Sequence, residues 1–177
     1  MPKPPSKIIM KTSRPLGTTG AVWAERSGSV TSKRRRLTTK KGAVVFRAFV
    51  SKETPTTKKI DLIRTGVGAR VVDDMAEYLD VPKHVIFGVL HTPESTAHKL
   101  IKDNRALDSA ASERVVRIAD ITRMAEKTFG GREAAAQWLK SPNLALAGAT
   151  PLSMLDTEPG AREARKILSS INYGGVF

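Results

Sequence analysis

Apolar residues recur at helical spacing along the sequence after residue 60. Within residues 69–79 they lie three or four positions apart, which places their side chains on one face of an α-helix. These positions are Val71, Val72, Met75, Ala76 and Leu79. The pattern resumes over Lys83–Leu90 and over residues 93–103, and residues 61–65 allow one additional turn. The sequence therefore predicts three successive helices and a shorter turn before residue 108.

A longer apolar stripe predicts a helix over residues 110–129, with Asp108 or Ser109 as its N-cap and Gly130 at its end. A helix over residues 132–140 follows. Thr150 and Pro151 then begin a short helix to residue 156, and Thr157 caps the last helix. The predicted core face of that last helix consists of Ala161, Ala164, Leu168 and Ile171. Few strand patterns occur after residue 60, so residues 60–177 should be all-α.

Two of the predicted helices have the proportions of a helix-turn-helix. Lys83–Leu90 would be the first helix, and Thr92 would be the N-cap of the second, with Pro93 at its first position. The second helix would enter the major groove of DNA with its first residues at the base edges. The predicted DNA-binding residues are Thr92, Glu94, Ser95, Thr96, His98, Lys99 and Lys102. The alternative is an ordinary helical hairpin, which needs only that two apolar faces meet.

The net charge of +13 is concentrated in the first third of the chain. Residues 1–59 hold 15 Lys and Arg but two acids, whereas residues 60–177 carry no net charge. We expect residues 1–59 to form a disordered basic arm and linker, with one apolar run over 43–50 that is either a strand or an extended segment. Arg34, Arg35 and Arg36 would bind phosphates in this arm. The alternatives are a solvated arm without a specific role, or a start codon further downstream.

An uncharged loop lies between two predicted helices. Residues 141–149 contain two leucines and no charged side chain. A solvated loop is normally polar, so an apolar loop of this length is usually fixed against its own core or against a partner. This loop favours a binding protein over a catalyst.

Several kinds of site are excluded. The chain has no Cys, which removes disulfides, Cys-ligated zinc and thiol catalysis. His84, His91 and His98 are spaced by seven, but Thr92 and Pro93 interrupt the helix that would bring them together, so no metal site is expected. Gly66 and Gly68 lack the third glycine of a dinucleotide fingerprint. We therefore expect no cofactor and no enzyme activity.

The sequence also lacks signals for membranes and export. No run of about 18 apolar residues is present, and the N-terminus has no apolar core of a secretory signal. We expect a cytoplasmic protein without a membrane partner.

Residues 61–177 resemble the Xre/MbcA/ParS antitoxins of RES–Xre toxin–antitoxin pairs. The similarity is strongest in four segments, which are AEKTFG at 125–130, WLKSPNLALAGATPL at 138–152, LDTEPGARE at 155–163 and INYG at 171–174. The sequence departs from the family at Ile86, where a small residue is usual, and at Leu90, where glycine is usual. Its second helix also lacks the arginines that the family often has there. Residues 1–59 have no counterpart in this resemblance.

The resemblance implies a bacterial protein with two domains after the basic arm at 1–59: an Xre-like helix-turn-helix domain at 60–108 and a small helical toxin-binding domain at 109–177. The first domain would bind the operon's own promoter and act as a transcriptional repressor. The second would bind a RES-domain toxin that depletes NAD and would occlude its active site. The antitoxin itself would have no catalytic activity.

The resemblance also suggests which residues meet the toxin. Trp138 should belong to the core, and Gly148 should adopt a backbone angle closed to other residues. The predicted toxin-binding residues are Asn143, Leu144, Leu146, Gly148, Tyr173, Gly174, Gly175, Val176 and Phe177. We expect a homodimer within a larger toxin–antitoxin complex, because helix-turn-helix proteins usually bind paired half-sites. The alternatives are a stand-alone helix-turn-helix regulator without a toxin, and a hairpin protein without a DNA role.

Overall fold

The computed structural model describes residues 45–174, and these residues are helical, as the sequence predicts. Their nine α-helices are α1 (Val45–Ser51), α2 (Thr56–Thr65), α3 (Val71–Leu79), α4 (Lys83–Leu90), α5 (Glu94–Lys102), α6 (Ser109–Phe129), α7 (Arg132–Lys140), α8 (Pro151–Met154) and α9 (Glu158–Asn172). One turn of 3-10 helix spans Leu144–Leu146. The predicted phosphate-binding residues Arg34, Arg35 and Arg36 and the predicted toxin-binding residues Gly175, Val176 and Phe177 lie outside the described residues.

Helix α6 is the central element of this fold. Its N-cap is Asp108, whose Oδ1 accepts a hydrogen bond from the backbone N–H of Ala111 at 2.7 Å. Gly130 ends the helix with a left-handed φ of 79°, so the predicted start and end are both confirmed. Along its 21 residues, α6 packs against α1, α2 and α4, which precede it in the sequence, and against α7 and α9, which follow it. The two predicted domains consequently share this helix.

The apolar core runs continuously through both predicted domains. Burial of each large apolar side chain removes it from water and stabilises the fold by about 1.5–3 kcal/mol. The largest fully buried side chains include Phe46, Met75, Leu79, Ile86, Leu90, Ile118, Ile121, Leu139, Leu152, Leu155 and Leu168. Ile86 and Leu90, at which the sequence departs from the family pattern, are therefore both core residues of α4.

The predicted arm at residues 1–59 is wrong over residues 45–59. This segment contains α1 and the start of α2 rather than an extended run followed by a polar linker. Phe46 and Val50 lie four residues apart on one face of α1 and are fully buried, since α1 packs against α3 and α6. Lys59 pairs with Asp120 of α6 at 2.6 Å. Tertiary contacts thus override the strand preference of a segment rich in Val and Phe.

The turn between α4 and α5 also differs from the prediction. The N-cap of α5 is Pro93 rather than Thr92, and the helix begins at Glu94. His91 adopts a left-handed φ of 53° that ends α4, and the N–H of Thr92 donates back to the carbonyl of Phe87 at 3.0 Å. The Thr92 hydroxyl donates to the carbonyl of Leu90 at 3.4 Å, so it completes α4 and does not cap α5.

The caps of the last two helices are confirmed, but one core position is not. Thr150 Oγ1 accepts from the N–H of Ser153, and Thr157 Oγ1 accepts from the N–H of Gly160. Ile171 is 44% exposed, and Ile167 takes the predicted place in the core. The last turn of α9 lies at the rim beside the end of α6, where the side chain of Asn172 donates to Thr128 Oγ1 at 2.9 Å.

Candidate functional site

The apolar loop after α7 is a closed structure held by Asn143. The Asn143 side chain accepts from the N–H of Ala145 at 2.9 Å, and its backbone carbonyl accepts from the N–H groups of Leu146 and Gly148 at 3.0 and 2.9 Å. Gly148 has a left-handed φ of 84°, which confirms the predicted special backbone angle. These local hydrogen bonds fix the loop without a partner.

The two leucines of the loop point in opposite directions. Leu146 is 7% exposed and anchors the loop in the protein interior, whereas Leu144 is 96% exposed. The structure therefore leaves Leu144 and not Leu146 available to a partner. Burial therefore accounts for one of the two leucines in this uncharged loop, Leu146, and leaves Leu144 without a contact in the core.

The end of α9 carries a second exposed apolar group. Tyr173 is 90% exposed, and Gly174 follows it with a positive φ of 67°. In the described part of the chain, no hydrogen bond or ion pair joins this last turn of α9 to the loop at 141–149. Trp138 is partly buried and packs against the core beside Phe129, with 5.7 Å between ring centroids, as predicted for a core residue.

Helix α5 exposes nearly all of the residues predicted to bind DNA. Its interior contact is Ala97, which is fully buried, with Leu100 partly buried against the core. The exposed polar residues are Glu94, Ser95, Thr96, His98, Lys99 and Lys102, whereas Thr92 is half-buried. The His98 ring meets the Phe87 ring edge-on at 5.3 Å and ties α5 to α4. The polar face of α5 is thus open to a macromolecule.

Arg114 of α6 links the turn after α4 to the junction between α8 and α9. Its Nη1 donates to the Leu90 carbonyl at 3.2 Å, and its Nε donates to the Asp156 carbonyl at 3.1 Å. His91 Nε2 lies 3.2 Å from Asp156 Oδ2 at the same place. Sequence reasoning did not single out Arg114, because both of its acceptors are backbone carbonyls and leave no mark in the residue pattern.

Arg117, one turn further along α6, holds the start of α9. This side chain is 9% exposed and donates from Nη1 to the Leu155 carbonyl at 3.1 Å. Its Nε lies 3.4 Å from Glu158 Oε2. Glu158 also accepts from Arg165, and this hydrogen bond lowers the pKa of the Glu158 carboxyl.

Tyr78 lies at the contact between α3, α6 and α7. Burial, assisted by the hydrogen bond from its hydroxyl to Glu126, raises the pKa of Tyr78 to about 12. The Arg132 guanidinium lies 4.5 Å from the centre of the Tyr78 ring and donates to the Tyr78 carbonyl at 2.9 Å. These contacts join α7 to the end of α3, so they support the fold.

The described residues offer little space for a small ligand. Two surface hollows have cavity volumes of about 20 and 10 Å³, far below the usual size of a ligand pocket. Within residues 45–174, no cluster of three His, Asp or Glu side chains could hold a metal ion. None of the described helices is long and apolar enough to cross a membrane.

Two protein-family models match the chain in adjacent segments. The antitoxin Xre-like helix-turn-helix domain matches residues 59–120, and the antitoxin Xre/MbcA/ParS C-terminal toxin-binding domain matches residues 124–174. The chain belongs to the Xre-type antitoxins. The resemblance of residues 61–177 to this family is thereby confirmed. The two matched segments adjoin within α6, the helix that packs against both parts of the fold.

Similarity to individual antitoxins extends over much of the chain. A protein of Sphingobium sp. named "Prs ADP-ribosylating antitoxin" is 29% identical over 125 residues, which cover 66% of this chain and 79% of the relative. An antitoxin Xre of Pseudomonas putida is 35% identical over 82 residues, covering 46% of this chain and 52% of the relative. An antitoxin Xre of Yersinia enterocolitica is 26% identical over 116 residues, covering 65% and 78%. The chain is accordingly an antitoxin with a helix-turn-helix domain and a toxin-binding domain.

Proposed function

We propose that this antitoxin neutralises a RES-domain toxin that degrades NAD, by binding the toxin and covering its active site. The observation that carries the binding of a toxin is the exposure of Leu144 on a loop whose other leucine is buried, whereas the RES class of the toxin rests on the resemblance of residues 61–177. This loop lies within the segment matched by the toxin-binding family model. Tyr173 supplies a second exposed apolar group within the same segment.

The loop is suited to binding because it is already ordered. Asn143 and Leu146 hold Leu144 in place, so docking orders little additional chain. Preorganisation lowers the entropic cost of association. Burying a leucine side chain contributes about 1.5–3 kcal/mol, and tyrosine is among the residue types that most often dominate interfaces.

The second part of the proposal is repression of the antitoxin's own operon through promoter DNA. Helix α5 would enter the major groove, and Ser95, Thr96 and His98 would reach the base edges. Their side chains are exposed, while Ala97 fixes the opposite face of the helix in the core. We propose a homodimer, because two copies would present two such helices to paired half-sites. The division of labour between residues 60–108 for DNA and 109–177 for the toxin belongs to this proposal.

The identity of the toxin is tested by co-expression with the product of the adjacent gene. We expect the two proteins to co-purify and the cellular NAD level to be preserved, whereas the adjacent gene alone should deplete NAD. Tyr173→Ser should weaken co-purification, and Glu133→Ser, at another exposed position of the same domain, should not. The proposal fails if the proteins do not associate and toxicity persists in the presence of the antitoxin.

A second candidate for the toxin's chemistry comes from the relative in Sphingobium, whose name refers to ADP-ribosylation. ADP-ribosylation also consumes NAD but leaves ADP-ribose on a target. Labelled NAD distinguishes the two: hydrolysis releases all of the labelled ADP-ribose, whereas transfer retains label on protein. A stand-alone regulator would instead bind DNA and show no effect of the adjacent gene product.

A further inference from the structure

A short backbone bridge fixes the segment before α3 against the segment after α5. The N–H of Leu107 donates to the Val67 carbonyl at 2.8 Å, and the N–H of Ala69 donates to the Arg105 carbonyl at 2.9 Å. Gly68 and Ala106 form an isolated antiparallel bridge between them. This pairing places Arg70, at the start of α3, and Arg105, just beyond α5, on neighbouring backbone segments.

The basic residues at this place have no acidic partner among the described residues. Arg70, Lys99, Lys102 and Arg105, which we call the basic corner, are all exposed. None of them forms a side-chain hydrogen bond or an ion pair with another residue in the range 45–174. Asp73, the acid three residues after Arg70, pairs instead with Lys83 at 2.5 Å. By contrast, cations elsewhere such as Lys59 and Lys140 are paired at 2.6 Å.

The basic corner is continuous with the exposed face of α5. Lys99 and Lys102 are three residues apart on that helix and so lie on one face, and the chain reaches Arg105 directly after it. The exposed neighbours Gly68, Asn104 and Ala106 are small or polar, and the four cations outnumber the one exposed acid within residues 99–106, Asp103. The surface lacks the apolar anchor that a protein partner usually needs, and its chemistry suits phosphate oxygens.

We propose that Arg70 and Arg105 hold the DNA phosphate backbone beside α5 and contribute affinity without reading sequence. The inference rests on the proposed DNA binding by α5 and extends it to two residues outside the helix-turn-helix. Phosphate contacts fix the position of a helix on the duplex, whereas contacts to base edges specify sequence. Arginine is suited to this role because its guanidinium binds phosphate in a bidentate manner.

The test compares the full chain with Arg70→Gln/Arg105→Gln by titrating promoter duplex and an unrelated duplex at several salt concentrations. Each lost phosphate contact lowers the log–log salt dependence by about 0.9, so the double variant should lose about 1.8. The ratio of affinities for the two duplexes should stay unchanged. The matched control is Lys127→Gln/Arg162→Gln, which removes two exposed charges elsewhere and should keep the original slope. Either single variant, Arg70→Gln or Arg105→Gln, should lower the log–log salt dependence by about 0.9. Thermal unfolding checks that the double variant and the control fold.

The outcomes separate this inference from the proposal on which it rests. If the unmodified chain binds neither duplex, the DNA-binding function fails and the inference fails with it. If the chain binds DNA and the double variant keeps its salt dependence, only the role of Arg70 and Arg105 is wrong. If the double variant loses affinity for the promoter duplex alone, Arg70 and Arg105 contact base edges, and the inference is overturned. Stronger loss of binding to phosphatidylserine vesicles than to DNA would also overturn it, in favour of a lipid surface.

Discussion

The Arg114 side chain donates a hydrogen bond to the carbonyl of Leu90, the last residue of α4, across 3.2 Å. The same guanidinium donates to the carbonyl of Asp156, so one side chain of α6 ties the helix-turn-helix to the toxin-binding part of the fold. Carbonyls at a helix end need partners when they are shielded from water. Arg114 therefore has a structural role that a lysine, with its point charge, would not reproduce.

Replacement of this arginine should destabilise the protein. Arg114→Ala removes the side-chain donor to the Asp156 carbonyl and leaves the Leu90 carbonyl with only the 3.4 Å hydrogen bond from Thr92, so we expect the free energy of unfolding to fall by about 1–3 kcal/mol. Arg114→Lys should recover only part of this loss. Urea unfolding measures both, with the exposed Lys127→Ala as the control that changes stability by less than about 0.5 kcal/mol. Equal stability of Arg114→Ala and the control would contradict the assignment.

Gly160 permits a close approach between the first turn of α9 and the end of α8. A Cβ atom at this position would lie 2.0 Å from the Met154 carbonyl oxygen, which is backbone and cannot move alone. We expect Gly160→Ala to destabilise the fold by about 1–3 kcal/mol. In thermal unfolding it should be compared with Gly88→Ala in α4, where a Cβ meets no atom within 4 Å. Gly88→Ala should stabilise the protein by about 0.5–1 kcal/mol, because alanine has a higher helix propensity than glycine.

The two loop leucines should respond to substitution in different assays. Leu144→Asp places a charge on a side chain that is 96% exposed, so the melting temperature should be retained while binding to the toxin is lost. Leu146→Ala removes a buried anchor and should lower the free energy of unfolding by about 2–5 kcal/mol. If folded Leu144→Asp protein still binds the toxin, Leu144 is not part of the interface.

The stability of the protein should decrease at alkaline pH because of Tyr78. The folded state raises the pKa of Tyr78 to about 12, from 10.0 in the unfolded chain. As the pH rises, Tyr78 therefore loses its proton first in the unfolded state. The stability that protonated Tyr78 contributes to the folded state is fully present below pH 10 and is lost as the pH rises through 12. Denaturant unfolding between pH 8 and 12 (a range of roughly two pH units to either side of the ordinary tyrosine value) should show a smaller decrease for Tyr78→Phe. Parallel pH profiles for the two proteins would refute the prediction.

Helix α1 should be required for the fold, although it lies in the segment predicted to be an arm. Phe46→Ala removes a fully buried ring and should cost about 3–5 kcal/mol. Lys52→Ala, six residues further along at an exposed position, should have little effect. Comparison by urea unfolding tests whether α1 is part of the core; similar midpoints for both variants would show that it is not.

The sequence determined those features that depend on neighbouring residues. Asp108 caps α6 through the N–H three residues later, and Thr157 caps α9 in the same way, so a reader of the sequence can locate both helix starts. Gly130 ends α6 because glycine adopts a positive φ without strain. The family resemblance likewise rests on contiguous segments, so it can be recognised without the fold.

Only the tertiary structure decided which side chain faces inward when the local pattern allowed two choices. Leu144 and Leu146 are two residues apart in an uncharged loop, and Ile167 and Ile171 are one turn apart on α9; packing against other helices selected one of each pair. The same holds for α1, whose helical state depends on burying Phe46 against distant segments. The contacts from Arg114 to Leu90 and Asp156 span 24 and 42 residues, and such contacts form only when the whole chain has folded.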